Sequence, residues 1–224
     1  MHTLSLTIGD TEIFLEAGQL ARNASGSVVV RHEKTMVLAA VTIDWDNPDD
    51  EQFPLLVDYR ERMAAAGRIP GNFFRREMRP TDGETLTCRL IDRAIRPLFP
   101  SGFNYPTTVS ITVFSADQRS DLAGLGMLAA SSAIGLSELP FAGPVIGGTV
   151  ARDGDRLTFQ ASPAEAATSD FDMVLALGPD GLLMLEGGGA PVSNADILAM
   201  IEVAQLVFGG ALEALPAFIR QHGA

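Results

Sequence analysis

The sequence contains one cysteine and three histidines, and both shortages restrict the chemistry that the chain can perform. Cys88 has no partner for an internal disulfide, and we expect it to be a small, half-buried residue on a helix. His2, His32 and His222 are too widely separated to show the spacing of metal ligands. Neither a disulfide framework nor a metal site is therefore predicted.

Long hydrophobic runs are also missing, because glycine, proline or charge interrupts each apolar stretch well before about 18 residues. On this ground we predict no membrane-spanning helix and no membrane partner. The first residues lack the basic stretch that opens a signal peptide, so we expect a cytoplasmic protein. With 224 residues, of which 46% are hydrophobic, the chain is expected to form one domain over residues 1–224.

The order of the strand and helix patterns predicts the α/β class, as a single two-layer domain in which helices pack on a mixed β-sheet. Alternating apolar residues on both sides of a short turn indicate three β-hairpins. The turns of these hairpins are Gly9-Asp10, residues 152–155 and residues 178–181. Residues 193–222 favour either one amphipathic helix or a pair of helices broken near Gly209-Gly210 and Pro216.

Residues 121–136 are rich in alanine, leucine, glycine and serine, which predicts a helix packed closely against a sheet. Gly124 and Gly126 in this helix imitate the glycine spacing of a dinucleotide-binding fingerprint. We reject that interpretation because the helix is expected to begin near Asp121, ahead of the glycines, and because no acidic residue about twenty positions later completes a ribose site. Small residues for tight packing explain the pattern better.

Positive charge is scarce except in one stretch, residues 59–100, which we call the arginine segment. The chain has 16 basic and 28 acidic residues, of which this segment holds nine and five, so that it is net +4 and the remainder is net −16. Arginine binds phosphate through two parallel hydrogen bonds, so its concentration on an acidic molecule indicates a phosphate-bearing partner. Binding to such a partner should depend strongly on salt, because the rest of the chain repels polyanions.

The first half of the arginine segment is predicted to be a loop. Glycine and proline punctuate residues 67–76, and Phe73 and Phe74 stand directly before Arg75 and Arg76. Aromatic faces stack on bases of any sequence while guanidinium groups hold phosphates, which is how proteins grip single strands without selecting a sequence. The alternative is that the two phenylalanines belong to the core and that the arginines pair with acidic neighbours.

The second half of the arginine segment is predicted to be a helix. Thr81 to Glu84 have capping-box spacing, and the amphipathic run that follows ends before Pro97. Arg89, Arg93 and Arg96 share a narrow stripe opposite the apolar face, where three like charges favour either a ligand phosphate or a nearby carboxylate such as Asp92. The apolar face is predicted to comprise Leu86, Leu90, Ile91, Ala94, Ile95 and Leu98.

The amino-acid sequence of this segment resembles that of a known family. The runs ERMAAAGRIPGNFFRREMRP and ETLTCRLIDRAIRPLFP, residues 61–80 and 84–100, are similar to the signature of the first core domain of polynucleotide phosphorylases. Met78 and Ala94 depart from the family pattern, which usually has glycine and often has proline at these positions. The resemblance implies a ribonuclease PH-like fold and an enzyme that degrades RNA from its 3′ end by reversible phosphorolysis, releasing nucleoside diphosphates.

The same resemblance implies partners and site residues. We expect single-stranded RNA as the ligand, a homotrimeric ring around an RNA channel, and inorganic phosphate and Mg²⁺ in the complete enzyme. The second core domain, the KH domain and the oligonucleotide-binding barrel of the family have no counterpart in residues 1–224. The residues expected to bind RNA are Phe73, Phe74, Arg75, Arg76, Arg79, Arg89, Arg93 and Arg96.

Catalytic residues are not expected in this chain. The family's phosphate-binding serines align near Asp121-Leu122-Ala123, where a carboxylate would repel phosphate. Its metal-binding aspartates and lysine align near Ala166, Asp172 and Val174, and one aspartate is a poor magnesium site. We favour a solvated strand edge for Asp170 and Asp172. Two alternatives remain: a stand-alone, non-catalytic RNA-binding subunit of an exosome-like ring, and a self-sufficient exoribonuclease, against which the residues near Asp121 argue.

Overall fold

A computed structural model describes residues 2–49, 51–71, 77 and 79–223. Its first half is built on a six-stranded mixed sheet with the order β1-β2-β3-β4-β6-β5. Neighbouring strands are antiparallel except β5 and β6, which run in parallel. The strands are β1 (His2–Ile8), β2 (Thr11–Ala17), β3 (Gly26–His32), β4 (Thr35–Ile43), β5 (Leu55–Glu61) and β6 (Thr107–Ser115).

The second half adds a four-stranded antiparallel sheet with the order β10-β9-β7-β8. Its strands are β7 (Ile146–Asp153), β8 (Arg156–Phe159), β9 (Phe171–Gly178) and β10 (Gly181–Gly189). The helices are α1 (Asp82–Ile95), α2 (Leu122–Gly135), α3 (Pro163–Thr168) and α4 (Asn194–His222), and short 3₁₀ turns occupy Met63–Ala66 and Arg96–Leu98. The three predicted hairpins, the α/β class and the mixed sheet are confirmed.

Helix α2 lies between the two sheets. The fold therefore has more layers than the two that the sequence predicted. The helix contacts β3, β4 and β6 of the larger sheet and β7 of the smaller one. Every residue from Gly124 to Ile134 is buried, including Ser131 and Ser132. A helix that is apolar around its whole circumference can be stable only when it is covered on all sides. The expectation of one sheet was wrong because strand patterns do not reveal which strands pair across a buried helix.

Helix α4 is continuous, which decides between the two predicted forms of the C-terminal residues. Pro216 lies inside it, and its buried face contacts β1, β7 and α2. Buried Phe208 and Ala211 hold the helix on both sides of its two glycines, and buried Leu215 and Phe218 hold it on both sides of Pro216. Packing therefore outweighs the low helix propensity of glycine and proline. At its C-terminal end the His222 ring stacks on the His2 ring with 3.9 Å between ring centroids.

By length and composition alone, α4 would be able to cross a membrane, because an 18-residue window has a mean hydropathy of 1.6. This corrects the expectation that no apolar run reaches such a length. Glycine, proline and charge interrupt this stretch in the sequence, but the two glycines, Glu202, Glu213 and Pro216 all lie inside the helix and do not end it. One face of α4 belongs to the core, as in the core helices of many globular domains.

The glycines of α2 serve close packing, as predicted, and not a nucleotide. The helix begins ahead of them, with Asp121 as its N-cap. A Cβ atom on Gly124 would lie 2.8 Å from Oδ2 of Asp121 and 2.9 Å from the carbonyl oxygen of Gly147, and one on Gly126 would crowd Tyr59 and Ile91. Glycine is therefore required where α2 meets the first strand of the smaller sheet.

Replacement of two helical glycines should change stability in opposite directions. We expect Gly124→Ala to lower the free energy of unfolding by about 1–3 kcal/mol, because the new methyl group overlaps fixed backbone. Gly210→Ala should raise it by about 0.5–1 kcal/mol, because this exposed position has no atom near its Cβ and alanine is the better helix former. Urea unfolding followed by circular dichroism measures both changes, and equal effects would contradict the packing of α2.

Candidate nucleic-acid interface

The arginine segment starts in β5 and ends just beyond α1, with the 3₁₀ turn Met63–Ala66 between them. Phe73, Phe74, Arg75 and Arg76 lie outside the described residues, as does Met78. The RNA contacts predicted for the first four therefore stay a prediction, and so does the alternative that the two rings belong to the core. Arg79, the next predicted residue, is exposed.

A buried carboxylate joins the two ends of the loop in the arginine segment. Glu84, 8% exposed, completes the predicted capping box of α1: its Oε2 accepts a hydrogen bond from the Thr81 amide at 2.6 Å. Its Oε1 accepts a second one, at 2.8 Å, from the amide of Glu61 at the end of β5. Burial alone would raise the pKa of Glu84, but these amide hydrogen bonds bring the pKa below its usual value. The charged form is thus the one that the fold binds.

Tyr59, two residues before Glu61 on β5, places its ring beside α2. Its ring is fully buried, and its hydroxyl donates a hydrogen bond to Glu61 at 2.9 Å. Burial and then the charge of Glu61 raise the pKa of the phenol far above its usual value, so Tyr59 stays neutral. The Tyr59 amide donates to Sγ of Cys88 at 3.2 Å, and Cys88 is half-buried on α1, as predicted.

The apolar face of α1 is confirmed except at its first residue. Ile91, Ala94, Ile95 and Leu98 are buried, and Leu90 is half-buried. Leu86, which was predicted to share this face, is 53% exposed and is a correction. The helix packs against β5, α2 and β10, and its buried apolar residues begin at Ile91, about one and a half turns after Leu86.

The guanidinium group of Arg96 is engaged by the protein itself. It forms an ion pair with Asp92 at 2.6 Å and donates to the carbonyl oxygens of Phe53 and Leu55, each at 3.1 Å. Four of its hydrogen bonds go to these three partners. This is the pairing with Asp92 that the sequence offered as an alternative, and it connects the C-terminal end of α1 to the start of β5.

Arg93 also has an intramolecular partner, Glu186 on β10. Both side chains are about half exposed, so water screens the pair and it contributes little to stability. Sequence analysis missed Glu186, because 93 residues separate it from Arg93 and no local pattern connects the two positions. A contact between α1 and the edge strand of the smaller sheet becomes visible only after the chain has folded.

Arg79 and Arg89 differ from the other two arginines. Both are exposed, and within the described part of the chain no carboxylate lies within ion-pairing distance of either guanidinium group. The predicted stripe therefore divides into Arg93 and Arg96, which are paired, and Arg89, which faces solvent. Whether any of the four contacts RNA stays a prediction.

The start of α2, where the family's phosphate-binding serines align, carries a buried carboxylate. Asp121 is 5% exposed and accepts hydrogen bonds from the amides of Gly124 at 3.1 Å and Thr149 at 2.5 Å. Burial raises its pKa, although the hydrogen bonds oppose that change. The amides that attract anions at a helix N-terminus are thus already satisfied by the chain's own side chain.

Two aspartates, Asp170 and Asp172, lie where the metal site of the family aligns. Asp172 is half-buried in β9, an inner strand, so the expectation of a strand edge was wrong for this residue. Asp170 precedes the strand, is exposed, and accepts a hydrogen bond from the Gly154 amide at 3.0 Å. Among the residues that the structure describes, no three acidic, histidine or cysteine side chains form a cluster that would hold a metal ion.

Comparison with known proteins defines the class. Residues 11–140 match the model of the 3′ exoribonuclease family, domain 1, and the chain therefore belongs to this family. Two solved structures share the fold: rice (Oryza sativa) Rrp46, with a TM-score of 0.69 and 17% identity over 93% of this chain and 92% of that one, and an Archaeoglobus fulgidus exosome with RNA bound to the active site, with a TM-score of 0.65 and 16% identity over 89% and 85%.

Among curated proteins the chain is similar to polyribonucleotide nucleotidyltransferases. It is 46% identical over 206 residues to that of Anaeromyxobacter dehalogenans (strain 2CP-C), and 45% identical over 202 residues to that of Geobacter sp. (strain M21). These matches cover 92% and 90% of this chain but only 28% and 29% of the relatives. The chain thus spans less than a third of their length and corresponds to their first ribonuclease PH-like domain, as the resemblance implied.

Removal of the Glu84 carboxylate should weaken the anchor of the arginine segment. We expect Glu84→Ala to lower the free energy of unfolding at pH 7 by about 1–3 kcal/mol, because two amides lose their acceptor. Since the pKa of Glu84 is lowered in the folded protein, this contribution is present above its usual value of 4.5 and disappears as the pH falls through the lowered pKa. Urea unfolding at pH 7, 5 and 4 measures the difference from the unsubstituted chain.

Glu165→Ala is the matched control. Glu165 completes a capping box on the short helix α3, but its carboxylate accepts only from Ser162 and joins no second element. The loss should then be about 1 kcal/mol or less. An equal loss in both variants would contradict the anchoring role of Glu84.

Proposed function

We propose that this domain grips single-stranded RNA and builds the ring of a phosphorolytic 3′-to-5′ exoribonuclease. The observation that carries the proposal is the match of residues 11–140 to the 3′ exoribonuclease family, in a chain whose exposed arginines Arg79 and Arg89 belong to its single net-positive segment. Guanidinium groups open to solvent are suited to phosphates, and the solved exosome with the same fold holds RNA.

The proposed RNA contacts are those expected from the sequence, with different support for each. Phe73, Phe74, Arg75 and Arg76 form the proposed single-strand grip through stacking and phosphate contacts. Arg79 and Arg89 add cations that are free of ion pairs within the described residues. Arg93 and Arg96 would need to leave Glu186 and Asp92 before they could bind a phosphate, which makes them weaker candidates.

The domain is proposed to lack phosphorolytic chemistry of its own. Asp121 accepts hydrogen bonds from the amide of Gly124 at the start of α2 and from that of Thr149 on β7, so these amides are not available to inorganic phosphate. A Mg²⁺ ion is expected in the complete enzyme, but the donors near Asp172 in this chain do not fit one. Phosphate, nucleoside diphosphates, a homotrimeric ring and a cytoplasmic location are proposed for the enzyme to which the domain belongs.

A second candidate is a stand-alone, non-catalytic subunit of an exosome-like ring. The observation in its favour is the likeness to rice Rrp46, which extends over 92% of that chain. The two candidates differ in whether the reading frame continues beyond Ala224 into a second core domain. Sequencing of the gene on the 3′ side of this codon separates them, because a continuing frame excludes the stand-alone subunit.

The purified chain should bind RNA without degrading it. With fluorescently labelled poly(A), we expect an anisotropy change that weakens steeply with salt, because the contacts are to phosphates. With phosphate and Mg²⁺ present, electrophoresis of the labelled strand should show no shortening, and chromatography should show no nucleoside diphosphates. Phosphate-dependent shortening would contradict the proposed inactivity, and absence of binding at low salt would contradict the proposed grip.

Arg89 and Arg96 should respond differently to replacement by alanine. Loss of Arg89 should reduce the slope of log affinity against log salt by about 0.7, the value for one single-strand phosphate contact, and should leave stability unchanged. Loss of Arg96 should lower the free energy of unfolding by about 1–3 kcal/mol, because it removes hydrogen bonds to a carboxylate and two carbonyl groups. Salt titrations and urea unfolding of both variants test this, and an unchanged slope for Arg89→Ala would exclude the Arg89 contact.

A further inference from the structure

Two basic residues outside the arginine segment are brought together by one carboxylate. Lys34 lies in the turn between β3 and β4, and Arg119 lies in the loop between β6 and α2. Oδ2 of Asp117 accepts a hydrogen bond from the Lys34 amide at 3.3 Å, and Oδ1 accepts from the Arg119 amide at 3.0 Å. The two residues, 85 positions apart in the chain, are therefore neighbours.

The carboxylate of Asp117 binds the backbone amides of Lys34 and Arg119 and not their charged side chains. It accepts hydrogen bonds from amides and from the hydroxyls of Thr35 and Ser120. Burial alone would raise the pKa of Asp117, but these hydrogen bonds hold it below its usual value. Both basic side chains are exposed, and among the described residues neither lies within ion-pairing distance of a carboxylate. Their charges face solvent.

The positions of both loops are defined by side-chain hydrogen bonds. The Ser120 hydroxyl oxygen, in a residue that is 1% exposed, lies 2.9 Å from Oγ1 of Thr35 and 2.9 Å from Nδ1 of His32. Glu33 and Gln118, one in each loop, have left-handed backbones with φ of 48° and 65°, which non-glycine residues rarely adopt. Such conformations persist only where the surroundings enforce them. The two cations are thus held on a preformed surface.

This surface is continuous with the base of the arginine segment. The Ala116 amide, next to Asp117, donates to the carbonyl oxygen of Ala65 in the 3₁₀ turn at 3.0 Å. The same turn begins at Met63, whose amide donates to Glu77 at 2.7 Å, and Arg62 donates to the carbonyl oxygen of Glu77 at 3.3 Å. The parallel pairing of β5 with β6 explains the proximity, because parallel strands end at the same edge of a sheet.

We propose that Lys34 and Arg119 extend the RNA-binding surface beyond the arginine segment and bind phosphates of the same single strand. This inference rests on the proposed RNA-binding function and deepens it. The contacts are electrostatic and independent of base sequence, because lysine and arginine side chains at this surface bind phosphate oxygens and not base edges. Glu33, exposed beside Lys34, and the half-buried Asp117 carry the opposing charges next to the two cations.

Salt titrations of RNA binding by the full chain test the proposal. Lys34→Ala combined with Arg119→Ala should weaken binding of labelled poly(A) several-fold and reduce the log–log salt slope by about 1.4, the value for two single-strand phosphates. Glu33→Gln should change affinity in the opposite direction. Circular dichroism of each variant verifies that it is folded.

A control with the same loss of charge is available at the other end of the molecule. Arg22 and Arg220 are exposed residues near the C-terminal end of α2, where Gly26 packs against Ala133 and Gly135 packs against Ile219. The 14 residues of α2 place them about 20 Å from the Asp117 loops. Arg22→Ala combined with Arg220→Ala should leave the salt slope unchanged.

Lys34 offers a second measurement that needs no variant, because it is the only lysine in the sequence. Bound poly(A) should slow acylation of its side chain by a reactive ester, as followed by mass spectrometry of the Lys34 peptide. Unchanged acylation under saturating poly(A), an unchanged slope in the Lys34/Arg119 double variant, or equal effects in both double variants would overturn the inference while leaving RNA binding intact. Failure of the unsubstituted chain to bind poly(A) would remove the proposed function and this inference together.

Discussion

The arrangement of the candidate interface depends on one buried carboxylate that is shared between two backbone amides. Glu84 accepts from Thr81 at the start of α1 and from Glu61 at the end of β5, so a single side chain fixes the positions at which the arginine segment leaves the sheet and enters the helix. Hydrogen bonds from amides to a charged carboxylate are stronger than those to a neutral capping group, because they are charge-assisted. The loop between these two points thus starts and ends on rigid elements, as binding loops commonly do.

Acidic side chains perform the same task at two other places near this edge. Asp121 ties the start of α2 to β7 through the Thr149 amide, and Asp117 ties the β3–β4 turn to the β6–α2 loop. In each case the carboxylate accepts hydrogen bonds from backbone amides of two separate segments. The chain has a formal net charge of −12. Nevertheless, Glu84, Asp117 and Asp121 accept hydrogen bonds from backbone amides and do not pair with the arginines at the surface.

Much of the fold was predictable because its signals are local. The capping box at Thr81, the helix start at Asp121 and the three hairpins each depend on residues within a few positions of one another, and the structure confirms them. The division into two sheets was not predictable, because β7 pairs with β9 across about twenty intervening residues and α2 separates this sheet from the other. Leu86 was misplaced because helical periodicity gives the direction of a face but not how far along the helix the covering layer extends.

The sequence predicted which basic residues belong to the candidate site but not which carboxylates most of them would contact. Residue types and spacing identified the arginine stripe on α1, and Asp92 was recognised as a partner because it lies one helical turn from Arg96. Glu186, which binds Arg93, and Asp117, which organises Lys34 and Arg119, act over distances along the chain that no sequence pattern encodes. Tertiary contacts thus determine which of the basic residues remain available to a ligand.

The stacking of His222 on His2 has a consequence for the connectivity of the chain. Because these two residues touch, the route of the backbone begins and finishes at one point on the surface. A short linker would close it into a circle, and new ends could then be opened at an exposed turn such as Gly102 without altering any layer. In a longer polypeptide, the segments on either side of this domain would be attached at adjacent positions on its surface.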